Sequence, residues 1–115
     1  MYVGIARVAL HLPEARSLKD RRAVVRGLIQ RLRARLPASI AEVGEVERWQ
    51  VAAVGVATVA RERARCDEVL DQAVALARAV PEAWVTEVRR QIFGAGAAGE
   101  ELSLAALGAS PGGEW

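Results

Sequence analysis

At 115 residues the chain has room for one domain, and its 52% hydrophobic residues can fill a core in which Ala, Val and Leu carry the packing, since only 4% are aromatic. The single Cys66 excludes an internal disulfide and a multi-cysteine metal site, no apolar run reaches the roughly 18–20 residues that cross a bilayer, and no secretory signal is evident, so a cytoplasmic protein is expected. The net charge of +2 hides an uneven distribution: residues 16–35 hold 8 of the 16 Lys and Arg with Asp20 as their one acid, a local +7, while the remainder sums to −5.

The first expected element is a strand over Tyr2–Leu12. It places Tyr2, Gly4, Ala6, Val8, Leu10 and Leu12 on one face and Val3, Ile5, Arg7, Ala9 and His11 on the other. Pro13 stops its pairing. Ser17 and Asp20 have capping-box spacing and predict a helix start. Leu18, Val25, Leu28, Ile29, Leu32 and Leu36 then recur at helical spacing as the expected buried stripe, and Pro37 ends the helix. A short strand over Ser39–Val43, a hairpin connection over Gly44–Arg48 and a longer strand over Trp49–Val59 follow. A second helix is expected from about Arg61 to Val80, with Cys66, Val69, Leu70, Ala73, Ala77 and Val80 as its stripe. Pro81 closes it, and Ala83–Phe93 reads as the last strand.

The order β-α-β-β-α-β with right-handed crossovers folds into a four-stranded antiparallel sheet with both helices on one face, the ferredoxin-like α+β sandwich. This domain is expected over residues 1–93. Six of the ten glycines lie between Gly94 and Gly113, so residues 94–115 read as a flexible Gly/Ala-rich tail, with one helical turn possible over Leu102–Leu107.

Three blocks, Ser17-Leu18-Lys19-Asp20-Arg21-Arg22, Ala41-Glu42-Val43-Gly44 and Trp49-Gln50, together with Val3-Gly4 and Pro13, resemble the YlxP-like family of small bacterial proteins. The resemblance covers roughly residues 1–93. Members usually carry Glu-Lys-Arg where this chain has Asp20-Arg21-Arg22, a change that keeps the charges. It implies the ferredoxin-like fold and a gene neighbourhood shared with a translation initiation factor and a ribosome-binding factor. It carries over no catalytic residue, because the family has no agreed ones.

On the first helix, Lys19, Arg22, Arg26 and Arg33 fall within an arc of about 60°. With Arg16 and Arg21 at the helix start, they are the candidate contacts to the phosphates of RNA or of a ribosome. Between them and the opposite flank runs a ridge of Ala23, Gly27, Gln30 and Ala34. Gly27 costs a helix roughly 1 kcal/mol relative to Ala, and close approach of a phosphate backbone would account for it. The competing reading is a solvated helix face whose arginines cover its apolar flanks.

Other sites find less support. No strand carries an RNA-recognition signature, and Trp49 and Trp84 are expected as strand-end packing residues. A sequence-specific DNA motif is also absent. An acylphosphatase-like cradle would need an Asn, and the chain has none. Lone Cys66 falls on a buried stripe, His11 has no visible partner, and Glu42, Glu45 and Glu47 on a hairpin make a poor metal site. The chain is therefore read as non-enzymatic, without cofactor or metal. Val51–Ala57 is apolar throughout, so the outer face of the sheet needs a cover. A homodimer packing sheet to sheet is favoured over the tail folding back, and a dimeric interaction module acting through the sheet face or hairpin is the alternative function.

Overall fold

The structure, a computed structural model, describes residues 1–44 and 48–94. Its elements are β1 (Tyr2–His11), α1 (Leu18–Arg35), β2 (Ser39–Val43), β3 (Val51–Ala60), α2 (Arg63–Arg78) and β4 (Trp84–Gly94). The strands form one sheet in the order β2-β3-β1-β4. All three strand pairings are antiparallel. Both helices pack against the same face, which is the expected ferredoxin-like α+β arrangement. The Gly44–Arg48 connection falls partly, and the Leu102–Leu107 turn wholly, outside the described residues.

Register follows from alternation. Ala6, Val8 and Leu10 of β1 lie beside Val56, Val54 and Ala52 of β3, and these six residues face the helices and are buried. Val25, Leu28 and Leu32 from α1 and Val69, Leu70, Ala73 and Ala77 from α2 close over them. Burial of each such aliphatic side chain contributes roughly 1.5–3 kcal/mol. Thr58, the buried polar member of this face, donates its hydroxyl to the Pro37 carbonyl at 2.9 Å.

Gly4 is set by close approach. A Cβ there would lie 3.1 Å from Cys66 Cβ and 3.3 Å from both Leu70 and Thr58, so α2 crosses β1 where β1 has no side chain. Cys66 is fully buried at that crossing.

The Ser17 hydroxyl accepts the Asp20 N–H at 3.1 Å and caps α1. The reciprocal half of the box differs: Asp20 Oδ2 accepts from the Arg16 N–H at 2.9 Å, one residue before the cap. The shorter Asp side chain thereby ties down the chain entering the helix. Several element ends shift by one or two residues from expectation, among them the starts of β3 and α2. Trp49 and Gln50 form a turn ahead of β3 instead of its first residues, with the Gln50 carbonyl accepting from Leu12 N–H at 2.8 Å. The second helix begins at Arg63, not Arg61.

Candidate functional site

Alternation on β2 turns Ile40 and Glu42 toward the helix layer. Ile40 joins the core, and Glu42 meets the first turns of α1. There the helix presents Arg21, not an aliphatic residue. Arg21 is only 1% exposed, its Nε donates to the Val51 carbonyl at 2.8 Å, and its Nη2 lies 2.6 Å from Glu42 Oε2. That oxygen is sealed from solvent and accepts no well-directed hydrogen bond among the described residues, so its contact with Arg21 is an ion pair rather than an aligned bond. The Glu42 side chain as a whole is 23% exposed.

This reverses two expectations. Leu18, expected on the buried stripe, is 38% exposed, and Arg21, expected among the phosphate contacts, occupies the buried position. The physical reason is the acidic residue on the inward face of β2. A carboxylate placed at the border of the core requires a cation, and a forked guanidinium can reach both it and a strand carbonyl. The sequence signal was available in Glu42 falling two residues after Ile40, hence on the same face of its strand.

Above this pair lies a groove of about 450 Å³ between α1 and β2, lined by Arg22, Val25, Arg26, Ile29, Gln30, Arg33 and Glu42. Three of the four residues expected on one arc, Arg22, Arg26 and Arg33, thus come together along one hollow, while Lys19 and Arg16 are exposed but do not line it. Arg33 Nη2 donates to the Ile40 carbonyl at 2.7 Å, which holds its guanidinium against β2. Arg22 Nε donates to the Leu18 carbonyl at 3.3 Å. A smaller hollow formed by Leu18, Arg21, Arg22 and Glu42 adjoins the groove at its N-terminal end.

The groove's electrostatics differ from those of the other elements. On β4 and α2, Arg89 pairs with Glu87, Arg65 with Glu68, and Arg90 with both Asp67 and Asp71. On α1, Lys19, Arg22, Arg26, Arg31, Arg33 and Arg35 have no carboxylate partner among the described residues. Glu42, the acid that lines the groove, is already engaged by Arg21. Within the ridge, Gly27 has nothing within 4 Å of where a Cβ would stand, so nothing in the fold requires a glycine there.

The opposite face of the sheet carries the other candidate surface. Val3, Ile5 and Ala9 of β1 share it with Val51, Ala53, Gly55, Ala57 and Val59 of β3 and with Ala41 and Val43 of β2. A trough of about 420 Å³ crosses it, bounded by Ile5, Arg7, Ser39, Val43, Gly44 and Ala57. At its end Gly44 adopts φ 85°, a conformation that L side chains avoid, and a Cβ there would stand 3.2 Å from Arg7 Nη2. His11 meets Trp84 edge to face at 5.8 Å. Trp84, 63% exposed, packs at the end of β4 through this contact, and Trp49, 48% exposed, lies in the turn before β3 rather than at a strand end. Glu45 and Glu47 lie outside the described residues, and among the described residues no group of three or more His, Cys, Asp or Glu could hold a metal ion. No helix among the described residues is long and apolar enough to cross a membrane.

Comparison with known proteins adds two findings. Residues 3–90 match a family described as "Protein of unknown function (DUF503)". The chain is also 30% identical over 91 residues to "Uncharacterized protein YlxP" of Bacillus subtilis (strain 168), an alignment that covers 79% of this chain and 99% of that protein. Two of the three blocks noted in the sequence meet at Arg21, and the third leads into it. Arg21 belongs to the first, Glu42 to the second, and Val51, whose carbonyl Arg21 engages, directly follows the third.

Proposed function

This chain belongs to the DUF503 family, and from that premise we propose that it is a non-enzymatic accessory protein that associates with RNA or the ribosome, contacting phosphates through the α1–β2 groove. The observation that carries the reading is the row Arg22, Arg26 and Arg33 along one hollow, with no carboxylate partner among the described residues. Lys19 and Arg16 extend the positive surface toward the helix start. Arg21 is left out of the contact set, because a buried, engaged guanidinium cannot reach a phosphate.

Guanidinium groups suit this task through bidentate hydrogen bonding, and four phosphate contacts on a single strand give a salt slope of roughly −3. Gradient sedimentation of a cell lysate at low and moderate salt tests the reading. The protein should co-migrate with ribosomal subunits or RNA, less so as salt rises, and a variant with Lys19, Arg22, Arg26 and Arg33 all changed to Gln should stay at the top of the gradient while folding normally. Retained association in that variant removes the groove from the function.

The apolar trough favours a second reading, a dimeric interaction module joined through its sheet faces. Sedimentation equilibrium should then show a dimer that Ala57→Arg converts to a monomer. A monomeric wild-type chain at tens of micromolar would dismiss it.

A further inference from the structure

The exposed Trp49 has no role in the phosphate reading, yet its turn leads directly into Val51, whose carbonyl Arg21 binds. It is two residues before Val51, so its Cα lies within about 7 Å of the Val51 Cα, and Arg21, which binds the Val51 carbonyl, lines the hollow adjoining the groove. Leu18, the other exposed large apolar residue of this corner, lines the adjoining hollow with Arg21, Arg22 and Glu42. Leu18 thus sits at the N-terminal end of the guanidinium row, and the backbone that carries the half-exposed Trp49 reaches that end through Val51 and Arg21. Trp is on average a highly buried residue, and the turn that holds it is pinned by the Leu12–Gln50 hydrogen bond. The indole is thus exposed on a turn anchored at Gln50 to the end of β1.

A stacking surface combined with a backbone-tracking positive groove matches single-stranded nucleic acid, whose bases offer open π-faces. A duplex offers phosphates but keeps its base faces stacked and inaccessible. Resting on the phosphate reading above, we propose that the site takes single-stranded RNA, with a base stacked on Trp49 and the flanking phosphates along Arg22, Arg26 and Arg33. Trp49 supplies the discrimination between single strand and duplex, and the arginines supply affinity common to both.

Fluorescence anisotropy on the full chain tests this with a labelled, non-self-complementary 12-nucleotide RNA and with the same strand annealed to its complement. The wild type should bind the single strand more tightly than the duplex. Trp49→Ala should weaken the single strand by about 5- to 150-fold, the range expected for loss of one stacked base, and leave duplex affinity and the salt slope unchanged. Trp49→Phe should restore much of the loss, and Trp84→Ala, on the sheet's other face, should change neither. Thermal unfolding of each variant separates stacking from misfolding. Equal binding of both RNA forms, unaltered by Trp49→Ala but weakened by the arginine changes, would overturn the inference and leave the phosphate reading standing. Failure of the wild type to bind either form would overturn both.

Discussion

Replacing Arg21 with Ala should harm the fold far more than the same change five residues on at Arg26, although both remove one positive charge from one helix. The Arg21 guanidinium is sealed between the Glu42 carboxylate and the Val51 carbonyl. Its removal leaves a solvent-sealed carboxylate oxygen without a cation and takes a donor from a strand carbonyl. Breaking a buried pair from one side costs about 3–5 kcal/mol. Glu42 keeps part of its side chain in water, so the lower end, about 3 kcal/mol, is the expected loss. For a folded unit of this size that corresponds to a fall in Tm of about 12–24 °C. Arg26 is exposed and has no ion-pair partner among the described residues, so Arg26→Ala should stay within about 0.5 kcal/mol. Helix propensity does not confound the comparison, since Arg and Ala are both good helix formers. Urea unfolding followed by circular dichroism, with the Tm measured alongside, reads both variants. A loss below about 1 kcal/mol for Arg21→Ala, or equal losses for the two variants, would refute the assignment of Arg21 as a structural residue.

Three further outcomes follow from the packing. Gly4→Ala forces a methyl group to within 3.1–3.3 Å of Cys66, Leu70 and Thr58 and should cost about 1–3 kcal/mol, again by urea unfolding. Gly27→Ala meets open space and should instead stabilise the protein by up to about 1 kcal/mol; if the glycine serves close approach of a phosphate backbone, the stabilised variant should bind RNA more weakly in the anisotropy assay. Arg90→Ala removes two partly exposed ion pairs, to Asp67 and Asp71, and should cost about 1 kcal/mol at low salt, with the difference from wild type shrinking in 1 M NaCl.

Much of the fold was legible because its signals are local and redundant. The β1 alternation, the Ser17 cap, the α2 stripe from Cys66 to Val80 and the prolines at 13, 37 and 81 each mark an element independently, and only one simple topology joins them. The site was legible in part. Helical periodicity places Arg22, Arg26 and Arg33 together, because that depends on one helix alone. It could not separate Arg21 from Leu18, because which of them turns inward depends on Glu42, a residue on another strand. Trp49 was misassigned for a similar reason. The Val- and Ala-rich run after it extends the expected strand back to Trp49, but the strand begins only at Val51, and the turn that carries Trp49 is tied to the end of β1. Tertiary pairing decided each of these points, and no window of neighbouring residues contains it.

The Arg21–Glu42 pair also governs the groove it underlies. Glu42 lines the same hollow as Arg22, Arg26 and Arg33, and an unpaired carboxylate there would offset one of the three guanidinium groups. With Arg21 engaged beneath it, the carboxylate is already compensated, and the hollow presents the full charge of its arginines to a ligand. On the phosphate reading, a residue that does not touch the ligand thereby sets the field the ligand would meet. The arrangement also keeps the two candidate surfaces apart: the basic groove opens on the helix side of the sheet, and the apolar trough lies on the other face. No single small ligand spans both. Sheet-to-sheet association would bury the trough and leave two basic grooves facing outward, so phosphate contact and dimerisation do not compete for the same residues. A dimer would present its two grooves on opposite sides of the particle, and a single short RNA would engage one of them at a time.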